Sequence, residues 1–181
     1  MSSTILKAIN MINTDKHAVG NLNNWNKSLV NEGAIATEDV ENFSIVELSF
    51  NEKGERAYSY LKDKATKGYL IAAVEDYMEE YGEDLGNFYN EAGERGRIVV
   101  LEPMVTRFDV SNYEAADKGG SAKAIANGMK VHWDVAGKKF IVSNGSVPHS
   151  DYATSANQFV VVNADSVVLD GMQTIRIECV K

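Results

Sequence analysis

Met129-Lys130-Val131-His132-Trp133-Asp134, Val135-Ala136-Gly137-Lys138 and Lys139-Phe140-Ile141-Val142 follow one another without a break, and their reading decides the fold. The first and last segments carry the alternation of half-buried strands, and the middle one is small, polar and glycine-containing. Together they predict a β-hairpin. Towards the C-terminus, Phe159-Val160-Val161-Val162 and Thr174–Val180 predict a second strand pair, joined through 163–171. Towards the N-terminus, Thr106-Arg107-Phe108-Asp109-Val110-Ser111 alternates cleanly. Ile98–Leu101, Ile45–Phe50 and the apolar run Tyr69–Val74 add further short strands. Short strands at this spacing point to an α+β, β-rich fold in which antiparallel strands form a small barrel or sandwich.

The rest of the chain divides around these strands. Asn51-Glu52-Lys53-Gly54-Glu55-Arg56 returns as Asn90-Glu91-Ala92-Gly93-Glu94-Arg95. Asparagine offers a local acceptor and glycine tolerates positive φ, so each copy predicts a tight turn. After the first copy, Ala57, Tyr58, Leu61 and Ala65 share one helical face, with Gly68 as C-cap, which predicts a short helix. The second copy leads into strand, so the hexapeptide reads as reused turn chemistry. The small, polar stretch 115–120 predicts a linker. Residues 1–40 are polar and Asn-rich, and read as a partly extended N-terminal arm that leans on a neighbour. The expected organisation is an arm over 1–40, an α+β region over 41–114 and a C-terminal β module over 121–181.

Composition narrows the function classes. The chain has 181 residues, 44% hydrophobic and 24% charged, enough apolar side chains to build a core. No stretch reaches the roughly 20 apolar residues of a membrane helix, and the start lacks the pattern of a secretory signal. The expectation is therefore a protein that stays in the cell where it is made. The net charge of -8 argues against direct nucleic-acid binding, which needs a basic face, and leaves room for a basic protein surface as partner. The single cysteine, Cys179, alternates with Ile175 and Ile177 and reads as a buried strand residue, with a reactive thiol as the alternative.

The search for chemistry yields no catalytic, cofactor-binding or metal residue to nominate. His17, His132 and His149 lie far apart in sequence, and none has a metal-ligand spacing. His132 alternates with Lys130 and Asp134, which places it on an outer strand face. His149, Ser150 and Asp151 are sequence neighbours, whereas a catalytic triad draws its members from separate elements. No nucleophile elbow and no phosphate loop is present. Glu75, Asp76, Glu79, Glu80, Glu83 and Asp84 form the densest charge. Tyr77, Met78 and Tyr81 interleave them at helical spacing, so a solvated helix face competes with a hard-cation site. Trp133 and Phe140 read as core, with a sugar-binding face as the alternative.

Several whole segments resemble a family of virion structural proteins from tailed phages of Gram-positive bacteria. They are Lys67–Glu75, Phe88–Arg95, Arg107–Ser111, Gly128–Asp134 with Lys138-Lys139-Phe140, and Gln173–Glu178. The resemblance implies a non-enzymatic, head-associated protein that decorates or cements the capsid. Its partners would be the major capsid protein and further copies of itself, and it would be made in the host cytoplasm and carried in the virion. Modest contacts repeated over many identical lattice sites suit such a role. The competing readings are a tail, neck or fibre-associated component, a receptor- or carbohydrate-binding β module, and a metal-dependent hydrolase using the acidic run.

Overall fold

The computed structural model describes residues 29–73, 89–117, 119–121, 123–167 and 173–181. The first twenty-eight residues and the acidic run 75–84 lie outside them, so the arm reading over that part and the cation reading of the run have no structural counterpart here.

Two six-stranded sheets share one hydrophobic core. The first is built from β1 (Ala34–Ala36), β3 (Ile45–Phe50), β4 (Arg56–Tyr60), β5 (Tyr69–Ile71), β7 (Arg95–Gly96) and β8 (Ile98–Val99), in the order β7-β1-β4-β3-β5-β8. The second holds β9 (Arg107–Val110), β10 (Tyr113–Ala116), β11 (Lys130–Asp134), β12 (Lys139–Ser143), β13 (Gln158–Val167) and β14 (Gln173–Cys179), in the order β10-β12-β11-β13-β14-β9. A small ribbon pairs β2 (Val40–Glu41) with β6 (Tyr89–Asn90). One short helix, α1 (Ser150–Thr154), is seen among the described residues. This is a β-rich α+β fold with a barrel-like curl.

The hairpin stands where the alternation places it. In β11–β12, Asp134 pairs with Lys139, so residues 135–138 form the loop. The Asp134 carboxylate accepts from the N–H groups of Ala136 and Gly137 at 3.2 and 3.0 Å, which closes the turn. The β13–β14 pair forms with two register shifts. Not every pairing is antiparallel: β1 runs parallel to β4, and β10 parallel to β12.

The core explains the strand choices. Phe108, Phe140 and Phe159 meet edge to face with ring centroids 5.5 to 5.9 Å apart, and Trp133 abuts Phe140 at 5.0 Å. Each such pair contributes about 0.5–1.5 kcal/mol beyond its buried area. Trp133 is 3% exposed and Phe140 1%, so neither offers a sugar-binding face. Cys179 is fully buried, as its alternation predicts.

Three expectations need correction. The segment after Asn51–Arg56 is a strand, β4, and not a helix. It sits between β1 and β3 and is buried on both faces, which erases the period-2 signal and leaves a chance helical spacing. Gly68 caps nothing. A Cβ there would lie 2.4 Å from Ile45 Cγ2, so its smallness serves close packing. The stretch 115–120 is not simply a linker, because Ala115 and Ala116 end strand β10 along β12.

Both hexapeptides are turns with glycine at positive φ, +78° at Gly54 and +93° at Gly93. Asn51 Oδ1 accepts from the N–H groups of Lys53 and Glu55 at 3.0 and 2.9 Å. Both copies lead into strands, and their terminal arginines act alike. Arg56 and Arg95 donate to the carbonyls of Asn31 and Glu32, each at 2.8 Å.

Candidate functional site

The loop between β4 and β5 docks on the segment before β13, and this joint builds the only polar cluster of mixed ligand types among the described residues. Asn157, 2% exposed, accepts from the Gly68 N–H at 2.6 Å and donates to the Gly68 carbonyl at 3.3 Å. The Ala156 N–H donates to the Lys64 carbonyl at 2.8 Å. These bonds hold Lys64 over α1, where its Nζ lies 2.6 Å from Asp151 Oδ1.

His132 enters the same cluster from β11. It is 1% exposed, which corrects its placement on an outer strand face. The side of β11 expected to meet solvent is covered by residues around α1: His149 stacks on His132 with centroids 5.0 Å apart, and Lys130 lies over the Tyr152 ring. His149 is the N-cap of α1, its Nδ1 accepting from the Asp151 N–H at 3.3 Å. Its own N–H donates to Ser143 Oγ at 3.0 Å, tying the loop to β12. His132, His149 and Asp151 each present a ligand atom within 4.8 Å of the others.

The electrostatics follow from burial. Loss of water around His132, joined by the neighbouring His149, brings its pKa down to about 4 against a smaller opposing pull from Asp151 and Asp134. The Lys64 hydrogen bond holds Asp151 below the usual carboxylate range. His132 Nδ1 is buried with no hydrogen-bond partner, as are Tyr58 Oη, Trp133 Nε1 and Asn144 Oδ1. Of these four, the imidazole nitrogen is the one suited to ligating a metal.

Sequence spacing missed this cluster because its members come from a strand and from a loop that returns only after the β12 hairpin. A shallow polar dent lined by Asn42, Ser44, Asp109 and Asn112 brings a second carboxylate near the surface. Asp109 there is held by Arg176. His17 lies outside the described residues. No helix among the described residues is long and apolar enough to cross a membrane.

Fold and cluster together define a small two-sheet β protein with a tethered histidine pair at one end. The sequence places it more sharply: residues 13–180 match the YonC prophage protein family, and the chain belongs to that family. It is 39% identical over 184 residues to the SPbeta prophage-derived uncharacterized protein YonC of Bacillus subtilis (strain 168), an alignment covering 100% of this chain and 99% of the relative. No solved structure matches it. The phage origin implied by the segment resemblance is thus borne out at the level of the family.

Proposed function

We propose that this protein is a non-enzymatic virion component that binds the phage head as a decoration protein and stabilises it. The observation that carries the reading is membership of a prophage protein family along nearly the whole chain. The fold supports a binding role. Sheet order leaves β10 at an edge with one neighbour, β12, among the described strands. An open edge of this kind is a ready template for a strand from another chain. Phe50 at the end of β3 and Met104 in the segment before β9 stand 74% and 80% exposed, where they offer apolar contacts. Residues 1–28 and the acidic run 75–84 are proposed as further contacts to the major capsid protein, and copies of the chain as neighbours on the lattice; the rest of the expected arm, through β1, belongs to the first sheet. On this reading the protein is made in the host cytoplasm and ends in the virion.

The test is to purify particles of the phage that encodes the chain, separate heads from tails, and quantify the chain in each by mass spectrometry. A fixed ratio to the major capsid protein in heads is the expected result. Presence in tails alone replaces the reading with a tail or neck role, and absence from particles overturns it. Deleting residues 1–28, which spares β1, should reduce co-sedimentation with undecorated heads. Undiminished binding would remove the arm from the contact surface.

A further inference from the structure

We propose that His132, His149 and Asp151 form a binding site for a divalent transition ion of the zinc class, closing the loop before α1 onto β11. Two imidazoles and one carboxylate are a donor set suited to zinc, with a fourth position left for water. The three ligand atoms already lie within 4.8 Å of one another. A tetrahedral ion with bonds of about 2.0–2.1 Å spaces its ligands by about 3.3 Å, so closing the site takes side-chain adjustments of about 1 Å. The moving parts are on the surface side: His149 and Asp151 are partly exposed and belong to a loop and a short helix, while His132 is fixed in a central strand.

The second observation is the partnerless Nδ1 of His132. A buried polar atom without a partner costs about 1–3 kcal/mol, and native structures rarely leave one without a reason. Burial also keeps this imidazole neutral at physiological pH, the form that binds a metal. Asp151 has one oxygen against Lys64 Nζ, which leaves a second oxygen on the same carboxylate to ligate an ion. If the ion takes Nε2 of His149, the ring proton moves to Nδ1 and the 3.3 Å cap bond to Asp151 is lost, a small cost for a bond of that length.

The experiment uses the full chain, stripped with chelator, and zinc chloride as the probe. Calorimetric titration should show one ion per chain, with a rise in melting temperature. Affinity should fall at least tenfold in His149→Ala and in Asp151→Asn, and stay unchanged in His17→Ala and Cys179→Ala. Because replacing buried His132 risks unfolding, its part is read by NMR in the unaltered chain. Zinc should shift the ring resonances of His132 and His149 together and leave those of His17 in place. Absence of saturable binding overturns the site. So does binding that survives both loop variants, or binding that needs His17 or Cys179.

Discussion

Arg176 on β14 grips Asp109 on β9 at two points, Nε to Oδ1 at 2.9 Å and Nη2 to Oδ2 at 3.0 Å, across a directly opposed pair of the antiparallel ladder. The Asp109 side chain is 4% exposed and that of Arg176 32%. The pair fastens an outer strand of the second sheet while Phe108 beside it fills the core. Removing one partner leaves a buried charge, whereas removing both does not. Arg176→Ala should therefore cost about 3 kcal/mol in urea unfolding, and Asp109→Asn combined with Arg176→Met clearly less. A double variant as unstable as the single one would show that the pair acts through packing alone.

His132 makes stability depend on pH. Its folded pKa, about 4, lies below the unfolded value near 6.5. Between these values the unfolded chain binds a proton that the folded chain refuses, so stability falls as pH drops from 6.5 towards 4. The gap corresponds to a loss on the order of 3 kcal/mol. Urea midpoints in chelator at pH 7.5, 5.5 and 4.5 should fall in this order. His132→Gln should flatten the trend over the same window. An equal slope in the variant would assign the effect to other groups.

How much of this was legible follows from the distance over which each feature is decided. The β11–β12 hairpin was readable because Asp134, Gly137 and the flanking alternation all lie within one turn of each other. Strand β4 was not, since its identity comes from neighbours on both sides, one of them the parallel strand β1 from far up the chain. The ladder of β10 along β12 is equally non-local, and Ala115 and Ala116 carry no strand signature of their own. The histidine pair depends on two such decisions at once: the register of β11, and the docking of the loop that Asn157 clamps to Gly68.

Gly33 is where the backbone leaves no room. Its φ is +60°, and a Cβ would lie 2.2 Å from the Gly96 carbonyl oxygen, a backbone atom held in the β1–β7 pair. Gly33→Ala therefore combines a left-handed backbone penalty with a clash, and should cost about 3 kcal/mol. Gly54 has a similar φ of +78° but open space around it. Gly54→Ala should cost about 1 kcal/mol, the backbone contribution alone. Equal losses in chemical denaturation would mean that the β1–β7 pair relaxes to admit the methyl group.

Cys179 tests whether the shared core closes as described. Burial raises its thiol pKa, only partly offset by a backbone interaction with Lys181. A thiol with little thiolate character and no solvent access reacts slowly. In native buffer, modification by a water-soluble disulfide reagent should follow the rate of structural opening, then become immediate in urea. Because Cys179 pairs with Phe159 on β13 and its N–H is held by the Thr106 carbonyl, access requires β14 to part from its neighbours. Fast labelling of the native chain would therefore mean that this end of β14 frays on its own. Slow labelling that accelerates in Arg176→Ala would tie the opening to the Asp109 pair on the same strand.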